Sequence, residues 1–290
     1  MFTITTEKKD YQTYTLTDSQ ANSTLEIVPE RGGIVTTWRY QNQDIFYFDA
    51  ERFRDPQKSV RGGIPILFPI CGNLPDNTYA HQGQSYTLKQ HGFARDLPWE
   101  VAEQATDSCA SITLVLDSNE KTRAVYPFDF KIAFTYQLQG NILTLKQSYT
   151  NNSETAMPFS TGLHPYFLVT AKDPLEFEIP ASQLQDHITQ EFRPFAGSFD
   201  FSLEEIDVAL LSPTQQKASI SDRQRGLKIT LDYSPIYSTL VFWTVKGKDY
   251  VCLEPWSAKR NAINTGENLI HLEPGKSCEA VVNFYVSNLD

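Results

Sequence analysis

The chain has 290 residues, 40% of them hydrophobic, which suffices for a sizeable buried core and excludes a disordered polypeptide. A formal net charge of −10 excludes general binding to nucleic acid or to anionic membranes, because both draw on clustered positive charge. A local anion site stays open. The first residues, MFTITTEKKDYQTYTLTD, place charges where a signal peptide has an apolar run, and no segment approaches ~18 uninterrupted apolar residues. A soluble, cytoplasmic protein is the expectation, folded as a single domain over residues 1–290, since all-β units of ~200 to 250 residues commonly form one body. Nothing in the sequence specifies an oligomeric state.

In chain order, strands are expected at residues 24–28, 34–40, 45–48, 85–89 and 111–116. Residues 131–138 alternate strictly, with Ile132, Phe134, Tyr136 and Leu138 on one face and Lys131, Ala133, Thr135 and Gln137 on the other. Gln139-Gly140-Asn141 reads as the turn into a second arm at 142–149, making a hairpin. A strand at 175–179 follows. Residues 180–213, rich in polar residues and phenylalanine, read as a long loop excursion near a site. Further strands are expected at 217–220 and 227–231, then a hairpin of 238–245 and 249–253 about Lys246-Gly247-Lys248, which brings Glu254 to a strand end, and a last strand at 278–286. No stretch has convincing helical periodicity, and short strands broken by turn residues favour a sandwich or barrel over a βαβ fold. The four cysteines, Cys71, Cys109, Cys252 and Cys278, are widely spaced without a CxxC pair, so they read as reduced thiols and suggest neither a zinc cluster nor a disulfide framework.

Against this strand background stand separated polar-aromatic islands. They are Arg61-Gly62-Gly63-Ile64-Pro65 running to Phe68-Pro69-Ile70-Cys71-Gly72, then His91-Gly92-Phe93-Ala94-Arg95, Thr161-Gly162-Leu163-His164-Pro165-Tyr166, and Cys252-Leu253-Glu254-Pro255-Trp256. Imidazoles and a carboxylate can exchange protons with hydroxyl groups near neutral pH. Guanidinium groups can hold vicinal hydroxyls or a phosphate, and aromatic rings can pack on a pyranose. On these islands the chain resembles the aldose 1-epimerases (mutarotases) of the galactose-mutarotase-like superfamily. RGGIPILFP and HGFAR are most similar to the hexose-6-phosphate mutarotase branch, whereas LEPW followed by Asn264-Thr265-Gly266-Glu267 looks more like epimerases of free sugars.

The resemblance implies an all-β fold, a large, mostly antiparallel β-supersandwich with a sugar site in a cleft on one curved face. It implies Glu254 as the base that takes the anomeric hydroxyl proton, His164 as the acid that protonates the ring oxygen, and His91 as a ligand for substrate oxygens, with no metal or other cofactor. The bland alternatives are a hydrogen-bonded structural histidine at 164 and a turn-closing histidine at 91. Arg61 and Arg95 are candidate substrate clamps or, alternatively, loop-fixing ion pairs. Asp207 sits about where the family places a sugar-binding carboxylate, though it could equally belong to a solvated acidic turn. Tyr166 and Trp256 are sugar-facing aromatics or core, and Cys71 reads as a small buried hydrophobe. No Walker loop, GxSxG elbow or HExxH pair is present. The expected partner is therefore a small aldose, a free aldohexose in the first reading and a hexose 6-phosphate in the second, with a noncatalytic carbohydrate-binding protein as the rival from another class. Glycoside hydrolysis, which usually needs two flanking carboxylates, is disfavoured because only Glu254 has a persuasive setting.

Overall fold

The computed structural model describes residues 1–289. Its framework is two eight-stranded sheets and one five-stranded sheet, with antiparallel pairing between the strands. The N-terminal sheet is a simple meander of Phe2–Lys8, Gln12–Asp18, Ser23–Val28, Ile34–Tyr40 and Gln43–Asp44. The first large sheet, called here the long sheet, runs in spatial order Leu175–Glu178, Lys217–Asp222, Leu227–Tyr233, Ser277–Asn288, Ile142–Asn151, Phe130–Gln139, Ala110–Asp117 and Glu100–Ala105. Its central hairpin follows the alternation read above: Phe130, Ile132, Phe134, Tyr136 and Leu138 are all buried, and Gln139 faces Ile142 across the turn.

The second large sheet, the site sheet, runs Phe192–Pro194, Gln183–Asp186, Glu205–Leu211, Thr239–Val245, Tyr250–Trp256, Gly162–Leu163 and Ile66–Leu67, with Tyr166–Leu168 also pairing with Tyr250–Trp256. Tyr250–Trp256 is buried at every position, unlike the alternating long-sheet strands, because residues pack against both of its faces. The main apolar core joins all three sheets and includes Trp38, Phe46, Phe134, Tyr149, Phe167, Phe242 and Phe284. Phe68 anchors the first polar-aromatic island in it, its ring lying 5.2 to 6.0 Å from those of Phe130, Phe159, Tyr126, Tyr149 and Phe93. Aromatic pairs at such separations add about 0.5–1.5 kcal/mol each beyond their burial.

Two expectations need correction. Residues 180–213 are not a plain loop: they supply three strands, Gln183–Asp186, Phe192–Pro194 and Glu205–Leu211, which form one flank of the site sheet. Their polar residues obscured this because a strand of an antiparallel sheet can bury only one face; in Glu205–Leu211, Ile206 and Val208 go inward while Glu205 is exposed. Residues 45–48 form only isolated bridges, Phe46 to Phe167 and Phe48 to Gly62, as the chain crosses between sheets. Short helices occur at Ala50–Arg54, Glu120–Val125 and Ala262–Thr265, too brief to leave a period of 3.6 in the sequence. Among the described residues no helix is long and apolar enough to cross a membrane.

Candidate active site

The four islands meet at a cavity of about 230 Å³ in the site sheet, lined by Arg61, His91, Arg95, His164, Tyr166, Glu254 and Trp256 together with Gln90, Glu205, Asp207, Trp243 and Arg260. Every site residue expected from the sequence is at this cavity. Local backbone chemistry explains why they arrive together. Gly63 has a φ of 62°, and a Cβ there would lie 2.0 Å from the Val35 carbonyl oxygen, so only glycine lets this segment pass the N-terminal sheet. Gly92 is similar, with a φ of 71° and a would-be Cβ 2.2 Å from the Phe68 carbonyl oxygen.

Glu254 lies on Tyr250–Trp256 and is 1% exposed. Its Oε2 accepts a 3.0 Å hydrogen bond from Trp256 Nε1, and its Oε1 stands 3.4 Å from His164 Nε2. His164 follows the short strand Gly162–Leu163, and its backbone N–H donates to Pro65 O. Its ring stacks on that of Tyr166 at 4.7 Å and 7°. Burial, reinforced by the negative charge of Asp207, pushes the Glu254 carboxyl well above its ordinary value. Burial, reinforced by the Arg95 guanidinium, lowers the His164 imidazole to about 3. The pair is thus arranged opposite to an imidazolium beside a carboxylate: the histidine is neutral and the proton favours Glu254.

His91 is held by reciprocal bonds with Gly72. The His91 backbone N–H donates to Gly72 O at 2.7 Å, and the Gly72 N–H donates to His91 Nδ1 at 3.0 Å. A backbone N–H can only donate, so Nδ1 is unprotonated and a neutral His91 carries its proton on Nε2. Burial, reinforced by the nearby Arg95 guanidinium, holds its pKa well below the ordinary histidine value.

Arg61 donates to the Tyr250 hydroxyl at 3.2 Å and lies 5.0 Å from the Trp243 ring centre. Arg95 donates to the Gln90 carbonyl, and its buried Nε has no partner. Neither is in an ion pair among the described residues, in contrast to Arg39, Arg54, Arg123, Arg193, Arg223 and Arg260.

Asp207 is 12% exposed at its side chain and is no solvated turn residue. Its Oδ1 lies 2.8 Å from His187 Nδ1, and its Oδ2 2.5 Å from Arg260 Nη2. Burial raises this carboxyl, but the His187 bond and the Arg260 charge outweigh it and leave the pKa below the ordinary value. Tyr166 and Trp256 line the cavity although they are 4% and 1% exposed, so each also packs as core. Cys71 is buried, its thiol pushed up by desolvation, as befits a small hydrophobe.

Sequence reasoning missed His187 and Trp243. His187 came from the segment read as a loop and stacks at 6.4 Å and 21° on Trp256. Trp243 is half-buried, donates to Glu205 at 2.7 Å, and presents an aromatic wall to the cavity. Its alternation within the 238–245 strand was the available signal, since it shares a face with Val241 and both line the cavity.

The fold and the site define a β-sandwich protein with a polar, titratable cavity, and its relatives place it. The family model for aldose 1-epimerase matches residues 12–285, and the chain belongs to that family. It is similar to the Slr1438 protein of Synechocystis sp. PCC 6803, with 49% identity, a TM-score of 0.95, and coverage of 99% of this chain and 100% of that one. A galactose mutarotase-like protein from Clostridium acetobutylicum shares the fold at 20% identity and a TM-score of 0.84, covering 99% of each chain. A Cenchrus ciliaris protein named "Putative glucose-6-phosphate 1-epimerase" is 23% identical over 84% of this chain and 72% of its own length.

Proposed function

We propose that the protein interconverts the α and β anomers of an aldohexose, with Glu254 as base, His164 as acid and His91 as a hydrogen-bond donor to substrate oxygen. The carrying observation is the buried contact of 3.4 Å between Glu254 and His164, whose pKa values are driven apart by the site and which therefore share a proton. Sugar hydroxyls donating to Glu254 stabilise its carboxylate and shift that proton toward His164. Glu254 then takes the proton of the anomeric hydroxyl as the C1–O1 bond becomes a carbonyl. The C1–O5 bond breaks as His164 protonates O5. Rotation about C1–C2 of the open aldehyde and closure by the reverse transfers give the other anomer and return both groups to their starting state. His91, with Nδ1 committed to Gly72, offers Nε2–H to an oxygen of the sugar. Asp207, Arg61 and Trp243 are assigned to holding hydroxyls and the ring face.

A hexose 6-phosphate is the second reading. It is favoured by Arg61 and Arg95, which both face the cavity without a carboxylate partner and can make charge-assisted bonds to a phosphate. The name of the Cenchrus ciliaris relative points the same way. The deciding experiment follows anomer exchange by NMR over a panel of free and 6-phosphorylated aldoses, with spontaneous exchange subtracted. Binding of sugars without acceleration of their exchange would sink the enzyme reading in favour of a carbohydrate-binding protein.

A further inference from the structure

Cys252 lies two residues before Glu254 on the same strand, so both side chains leave the same face of the site sheet. In register it stands beside Tyr166, whose ring supports that of His164. One donor atom each from His164, Cys252 and Glu254 therefore falls within 4.8 Å of the others, and all three residues are buried. The opposite ring nitrogen of the histidine is not tied down: His164 Nδ1 is buried and finds no hydrogen-bond partner.

A thiol, an imidazole and a carboxylate are the donor types of zinc, and they are poorly matched to magnesium or calcium, which require mostly oxygen ligands. Zinc bond lengths at tetrahedral angles put a nitrogen and an oxygen ligand about 3.4 Å apart and a sulfur about 3.6 Å from either. His164 Nε2 and Glu254 Oε1 already stand 3.4 Å apart. With the donor atoms within 4.8 Å of one another, the sulfur has at most about 1.2 Å to close. Thiolate and carboxylate together neutralise a dication, which offsets the opposing charges of Arg61 and Arg95 at the cavity. His164 and Glu254 line the cavity, leaving a fourth position open to water from that side.

We propose that His164, Cys252 and Glu254 form a zinc-binding site whose occupancy reversibly inhibits the enzyme by occupying the acid and the base together. The inhibition rests on the proton-transfer roles given to His164 and Glu254 above; the binding does not. Cys252 transfers no proton in the reaction, so its removal separates the two.

The test uses the full chain freed of metal, titrated with zinc and, as a spectroscopic substitute, cobalt(II). Expected are one bound equivalent per chain, a thiolate-to-cobalt charge-transfer band, and loss of anomer exchange that a chelator restores and saturating sugar protects against. Cys252→Ala should keep wild-type turnover and lose at least the ~10- to 100-fold in zinc affinity that removing a mere supporting partner of a ligand typically costs. Cys252→Ser serves if the alanine variant fails to fold, and Cys278→Ala should bind zinc as the wild type does. Equal zinc inhibition of wild type and Cys252→Ala, or cobalt bound without a thiolate band, would overturn the proposal. Cobalt–thiolate binding in a chain that accelerates no anomer exchange would sink the epimerase reading while keeping the site; normal exchange with no metal bound would do the reverse.

Discussion

Burial drives Glu254 up and His164 down, so between about 3 and the raised value of Glu254 the pair binds one proton. Any mechanism using one as acid and the other as base needs that single proton. Below about 3 a second proton arrives and the base is lost; above the raised Glu254 value the last proton leaves and the acid is lost. The expected kcat/KM profile therefore has an alkaline limb that belongs to Glu254 and is displaced upward from the ordinary carboxylate range. Asp207 helps raise Glu254 by its negative charge, so Asp207→Asn should lower that pKa and move the alkaline limb to lower pH. An unmoved limb in that variant would break the link between Asp207 and Glu254. Glu254→Gln and His164→Asn should each cost ~10²- to 10⁴-fold in kcat, while circular dichroism shows an intact fold. Arg95→Ala should damage turnover of a hexose 6-phosphate far more than turnover of the free hexose, because a charge-assisted bond is lost in one case and a neutral hydroxyl contact in the other. Equal damage to both substrates would remove the phosphate from the reading.

At the scale of elements, the islands matter less as loops than as the short strands and turns that tie the site sheet to its neighbours. Gly162 pairs with both Leu67 and Trp256, which sets the first island beside the third and the fourth. Gly92 bridges to Phe68, so His91 is placed by the same segment whose phenylalanine is anchored in the core. Gly92→Ala should therefore destabilise the protein by about 1 to 3 kcal/mol through its left-handed backbone alone, with the contact at Phe68 O adding to it. Urea titration measures this, and because His91 immediately precedes Gly92, a fall in kcat should accompany it. The flank built from residues 183–211 delivers His187 and Asp207 to one carboxylate–imidazole contact. The neighbouring strands Gln183–Asp186 and Glu205–Leu211 do this work, not the loop excursion that composition suggested.

For the whole molecule, two neutral histidines buried in one cavity make stability depend on pH. An unfolded histidine titrates near 6.5, whereas His164 in the fold titrates at about 3 and His91 well below its ordinary value. Below pH 6.5 the unfolded chain binds protons that the folded chain refuses, so stability falls with falling pH by up to ~1.4 kcal/mol per unit for each histidine. Glu254 works in the opposite sense: its raised value favours the fold below about 4.5 and that contribution is lost as pH rises through it. Chemical denaturation at pH 6.5, 5.5 and 4.5 should show this loss in the wild type, and a His91→Asn/His164→Asn double variant should show a shallower one. An unchanged slope would place the acid sensitivity elsewhere.

The sequence by itself determined what is local and repetitive. Strict alternation in 131–138 and 142–149 specified a hairpin with one apolar face, because a period of two leaves a strand only one way to bury its large residues. The four islands, taken in order, carried the family and the residues of the cavity wall. Tertiary structure alone decided how Glu254 and His164 hold their protons, for burial is a property of everything packed around a side chain and of no residue in particular. It also decided the place of His187, whose partners Asp207 and Trp256 arrive from strands 20 and 69 residues away. The conjunction of Cys252 with His164 has the same origin: an antiparallel pairing of Cys252 with Tyr166, across 86 residues, that no spacing in the chain reveals.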